Sequence, residues 1–167
     1  MEQSDINNIL KPIKFEPHYK TVMWGGEKIS QFKGIPLDCK TIGESWEISG
    51  VKGSESIVSN GVDKGLTVTQ MVEKYRSLLV GGLSYEKFGT TFPILVKIID
   101  AKKDLSFQVH PSDELAKERH NCMGKTEMWY IVDTDKNAKL YAGLSQKTTP
   151  QEYEQRIEDG SIMDIVN

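Results

Sequence analysis

The stretch FPILVKIIDA, residues 92–101, constrains the fold of this chain more than any other segment. It is a nearly continuous apolar run of strand length, bounded by Pro93 and Asp100, and it suits a strand buried on both faces except at Lys97. Such a strand needs neighbours. GESWEISG at 43–50 alternates Trp46 and Ile48 against Ser45, Glu47 and Ser49, the period of a half-buried strand, and ESIVS at 55–59 repeats the pattern before a turn at Asn60-Gly61. LSFQVHP, TEMWYIVDT and AKLYAGL read as three further strands, and a first one is expected near Ile13 to Phe15, where the surrounding prolines disfavour helix.

Helices are expected between these strands. Thr67 and Gln70 form a capping-box pattern ahead of Met71, Tyr75, Leu78 and Leu79, with Gly81 as terminator, so one helix is read over 67–81. Ser112 caps a short helix in SDELAKERH, and Thr149 with Pro150 opens another that closes at Gly160. The paired glycines of VMWGG, 22–26, predict a turn where backbone approaches something closely. Short strands with inserted helices and no βαβ rhythm predict a mainly β fold, an antiparallel barrel or jelly roll.

At 167 residues, with 38% hydrophobic and 27% charged residues, the chain fits one compact soluble domain. A net charge of -3 without long single-sign blocks excludes a nucleic-acid or anionic-lipid footprint. The first twenty residues lack a signal-peptide apolar run, and no stretch reaches membrane-span length, so the expected location is cytoplasmic. Cys39 and Cys122 are far apart and in no CxxC spacing; both are read as reduced structural cysteines. Trp24, Trp46 and Trp129 are read first as core residues.

Two polar pairs carry the chemistry. Gln108 and His110 leave the same face of a predicted strand, and Lys125 and Glu127 repeat the geometry on a later one. If the strands are neighbours, an imidazole, a carboxylate and an amide oxygen can hold a divalent metal beside an ammonium. The plainer alternative for His110 is a satisfied strand-end histidine. Lys97 within its apolar run either meets an anion or snorkels to solvent. Glu44 and Glu47 point to opposite faces, so at most one of them joins an interior site.

WGG at 24–26, GESWEIS at 43–49, FPILVKIIDAKKDLSFQVHP at 92–111 and GKTEMWYI at 124–131 resemble, in order and separation, the type I mannose-6-phosphate isomerases. The resemblance implies a cupin-like jelly-roll barrel with short helical insertions, one zinc per chain, and interconversion of mannose 6-phosphate and fructose 6-phosphate. It makes Gln108, His110 and Glu127 zinc ligands. Lys125, matched together with Glu127, would stand beside a dication that disfavours its charged form, which makes it the candidate catalytic base or proton shuttle. The resemblance also places Trp24, Glu44, Lys97 and Ser106 in the substrate pocket. The family's later histidine ligand and later arginine have no counterpart before Asn167. Residues 1–167 are therefore expected to form a metal-binding domain lacking the C-terminal part, with zinc held less tightly than in a complete enzyme. Two alternatives remain at this point. One is a catalytically silent sugar-phosphate-binding module. The other is a different metallo-cupin enzyme, which the position of Glu127 seventeen residues after His110 disfavours, since such enzymes follow HxH closely with Glu.

Overall fold

A computed structural model describes residues 11–36 and 41–167, together with Asn7. Cys39 lies outside the described residues. The chain packs as two units, residues 1–108 and 109–167. Among the described residues, the first unit holds two antiparallel sheets. In the smaller, β1 (Phe15–Glu16) pairs with β4 (Ile57–Val58). In the larger, β3 (Ile42–Ser49) lies between β2 (His18–Gly26) and β5 (Leu95–Ile99).

The WGG segment is strand rather than turn, for β2 runs through both glycines. The predicted close approach is nonetheless real. A Cβ on Gly25 would lie 2.6 Å from the Gly43 backbone nitrogen, and one on Gly43 would strike Val22 and the Trp24 ring. The two strands meet backbone to backbone because neither glycine carries a side chain. Gly25→Ala should cost about 1–3 kcal/mol by overpacking, measured as a lower urea midpoint; an unchanged midpoint would show that β2 can shift without loss.

Between β2 and β3 lies α1 (Lys28–Lys33), a helix that sequence reading leaves as loop. The helix expected over 67–81 begins as read. Thr67 and Gln70 form both bonds of the capping box at the start of α2 (Val68–Tyr75). It then breaks at Arg76, whose φ is 52, and resumes as α3 (Ser77–Val80) before α4 (Gly82–Phe88). Val58, Met71 and Tyr75 form a buried cluster, against which Ile13, Phe15, Leu66 and Leu79 pack. The same α2 face carries a polar anchor: the Tyr75 hydroxyl donates to Asp63 Oδ2 at 2.6 Å, and Lys74 Nζ reaches Oδ1 at 2.7 Å.

The second unit contains α5 (Asp113–His120), α6 (Pro150–Glu158) and a 3₁₀ turn (Ser161–Asp164). Ser112 and Thr149 cap the two helices as read from sequence, accepting from the backbone N–H of Leu115 and Glu152. A bridge between Leu144 and Val166 ties the end of the chain back.

Several expectations fail here. Among the described residues, the predicted strands LSFQVHP, TEMWYIVDT and AKLYAGL do not form, and the sheets that do are of two and three strands. A strand exists only as a hydrogen-bonded pair, and apolar alternation marks a competent segment without supplying its partner. Val109, Met128, Tyr130 and Val132 are accordingly exposed. Trp129, read as core, is 45% exposed, and Cys122 is an exposed free thiol. The apolar run 92–101 is not buried on both faces, for Ile94 and Val96 are exposed. Among the described residues, no helix is long and apolar enough to cross a membrane.

Candidate active site

The predicted site residues fall into two groups, one in each unit. In the second unit, α5 is an excursion whose two ends are brought together. The Gly124 N–H donates to Asp113 Oδ1 at 2.8 Å, and a Cβ on Gly124 would lie 2.7 Å from the Pro111 carbonyl oxygen. Only a residue without a side chain lets the chain return so close to the start of the helix. The return brings the segment after Gly124 beside the residue before Pro111.

There His110 Nε2 lies 2.5 Å from Glu127 Oε2, and Lys125 Nζ lies 3.3 Å from the same oxygen. Their side chains are half-buried, with Lys125 the most open. Burial pushes the Glu127 carboxyl up, but hydrogen bonds from His110 and Trp129 and the charge of Lys125 outweigh it and hold the group below its ordinary value. Glu127 is therefore an ionised acceptor on which an imidazole and an ammonium converge. Imidazole nitrogen and carboxylate oxygen are donor types that zinc takes, and here the two face each other at 2.5 Å. Among the described residues, no group of three or more His, Cys, Asp and Glu side chains is placed to hold one. Gln108 ends the first unit, exposed and outside any strand.

In the first unit, the register of β3 sets the second group. Trp46 is paired with Lys97 of β5 and with His18 of β2, while Glu44 is opposite Lys20 and Ile99. Lys97 Nζ donates to Glu44 Oε1 at 3.0 Å, and Trp46 Nε1 donates to Oε2 at 2.7 Å. Lys97 thus resolves its buried charge by pairing with Glu44 across the sheet rather than by snorkelling. Glu47 turns to the opposite side, as alternation requires, where Lys33 Nζ reaches it at 2.7 Å and Ser45 donates to it at 2.6 Å. Trp24 is half-buried, its carbonyl accepting from the N–H of Lys102 at 2.8 Å and of Lys103 at 3.1 Å. Ser106 is exposed.

Sequence reading misses two members of this group. Trp46 is read as core and Lys20 is not singled out, although the Lys20 ammonium sits 4.8 Å from the Trp46 ring centroid. The i, i+2 spacing of Glu44 and Trp46 is the signal that marks them as sharing a face.

The segments that carry both groups are common to known enzymes. A profile of the catalytic domain of type I phosphomannose isomerase matches residues 13–155. The chain belongs to this family. It is 40% identical over 151 residues to mannose-6-phosphate isomerase ManA of Bacillus subtilis (strain 168), covering 90% of this chain and 46% of that protein. It is 33% identical over 138 residues to the mannose-6-phosphate isomerase of Streptococcus mutans, covering 83% of this chain and 42% of that one. The crystal structure of the mannose 6-phosphate isomerase from Bacillus subtilis superposes with a TM-score of 0.80 at 32% identity, over 93% of this chain and 48% of that chain. The chain spans about half the length of the relatives it matches.

Proposed function

We propose that this chain supplies the metal-binding part of a zinc-dependent aldose-ketose isomerase that interconverts mannose 6-phosphate and fructose 6-phosphate. In this reading residues 1–167 belong to a cupin-like jelly roll and act in the cytoplasm, where the thiols of Cys39 and Cys122 stay reduced. The observation that carries the reading is the convergence of His110 and Lys125 on Glu127 within a chain of this family.

His110 and Glu127 hold the zinc, and the Gln-x-His motif adds the Gln108 amide on the strength of sequence alone. Zinc bound there supplies a Lewis acid that stabilises negative charge on the substrate oxygens. Isomerisation removes a proton beside a carbonyl and returns it to the neighbouring carbon through an enediol, so a proton carrier must stand beside the electrophile. Lys125 is that carrier: its Nζ is held 3.3 Å from the Glu127 carboxylate, and its side chain is open enough to reach a substrate. Glu44 and Lys97 take the sugar phosphate together with Trp24 and Ser106, the ammonium and hydroxyl suiting phosphate and sugar oxygens.

The test couples production of fructose 6-phosphate to a reporter while zinc is quantified in the same preparation. Turnover that rises with bound zinc and is lost, with the metal, in His110→Ala supports the reading. Zinc retained in full by His110→Ala places the metal elsewhere. Zinc-loaded protein that binds mannose 6-phosphate without turnover makes the chain a silent sugar-phosphate module.

A further inference from the structure

Glu44 is held at both of its oxygens, and the two donors differ in kind. Lys97 brings a charge from β5, whereas Trp46 brings a single directional N–H from the same strand as Glu44, two residues on. A lone lysine fixes a carboxylate poorly, because an ammonium has three rotatable donors on a flexible stem. An indole N–H has one direction, set by the ring plane. The ring is itself restrained, with the Lys20 ammonium stacked 4.8 Å from its centroid and β5 paired alongside through Lys97. The Lys97 and Glu44 side chains retain only 18% and 16% of their exposure, so these bonds are shielded from competing water.

We infer that Trp46 is a positioning residue, which orients the Glu44 carboxylate for the hydroxyls of a phosphorylated sugar and is itself oriented by Lys20. The inference rests on the proposed reading of Glu44 as a substrate contact. Trp46 acts through Glu44 and touches no reacting atom, so its loss weakens binding of ground and transition states alike. That signature is a raised KM at unchanged kcat.

The experiment compares zinc-loaded wild-type protein with Glu44→Gln and Trp46→Phe in steady-state isomerisation of mannose 6-phosphate. It also follows the indole N–H resonances of ¹⁵N-labelled protein during titration with the same sugar phosphate. Trp46→Phe keeps an aromatic ring for Lys20, though a smaller one, and removes the donor. Glu44→Gln should raise KM, and Trp46→Phe should raise it by roughly tenfold, the worth of one hydrogen bond to a charged group, with kcat within about twofold as expected for uniform binding. Lys20→Met should raise KM by a smaller factor. In the unsubstituted protein the Trp46 indole resonance should move on titration, and Glu44→Gln should shift it without ligand. A Glu44→Gln protein with raised KM beside a Trp46→Phe protein with unchanged KM overturns the positioning role and leaves the reading of Glu44 standing. Unchanged KM in both overturns that reading and the inference with it. A fall in kcat alone for Trp46→Phe, or a Trp46 resonance indifferent to the sugar phosphate, overturns the inference also.

Discussion

Glu127→Ala is expected to lose both its zinc and its isomerase turnover. One oxygen of Glu127 is the point on which His110 and Lys125 converge, at 2.5 and 3.3 Å. On the proposed reading, removing the carboxylate deletes a metal donor; it also unfastens the imidazole and leaves the Lys125 ammonium without the anion that holds it. Outer partners of a metal site cost roughly 10–100-fold in affinity or activity when lost, so a ligand that also orients its neighbours should exceed that range. Lys125→Ala separates the roles. It leaves the His110–Glu127 pair intact, should retain zinc, and should lower kcat by roughly 10²–10⁴-fold, the usual worth of a positioned proton carrier. Zinc content and coupled turnover, measured on the same samples, check both. Full turnover in Lys125→Ala with zinc bound would assign proton transfer to another group, and undiminished zinc in Glu127→Ala would remove Glu127 from the metal site.

Tyr75→Ala should be the most damaging single change to the fold of the first unit. Tyr75 is 1% exposed and packs with Val58 and Met71, so truncation leaves a cavity and should cost about 3–5 kcal/mol. Tyr75→Phe keeps the packing and removes only the hydroxyl that donates to Asp63, which should cost about 1–2 kcal/mol. Urea unfolding of the three proteins measures the difference; equal losses for both variants would mean that the hydroxyl, not the ring, carries the stability. The pair also has a pH signature. Burial pushes the Asp63 carboxyl up, but the hydrogen bonds from Lys74 and Tyr75 outweigh it and leave the folded value below the ordinary 3.8. A depressed carboxyl contributes its full stability above the ordinary value and loses it as pH falls through the lowered one. Tyr75→Phe weakens the depression, so its acid unfolding should begin at higher pH than that of wild type.

Much of the local structure is legible in the sequence because its causes are local. The caps at Thr67, Ser112 and Thr149 form as read, since each needs only a side-chain oxygen and a backbone N–H three residues on. The division of Glu44 and Glu47 between opposite faces of β3 follows from strand alternation alone. The break at Arg76 does not: apolar spacing continues past it at Leu78 and Leu79, and periodicity is silent about a single residue at positive φ. The exposed segments around Val109 and Tyr130 fail for a different reason. Their alternation is the right kind, but pairing is a property of two strands and cannot be read from one.

The sequence by itself determined the family, the residue types of the candidate site and the faces on which neighbouring side chains lie, because motif order, donor chemistry and strand period are all written along one chain. Only the tertiary structure decided which of those residues meet. It set Lys97 against Glu44 through the register of β5 on β3, clamped Glu44 with Trp46, and brought His110 to Glu127 by folding Gly124 against the start of α5. Each of these contacts depends on a strand register or a backbone approach. Those are fixed by the packing of many residues at once, and no single motif encodes them.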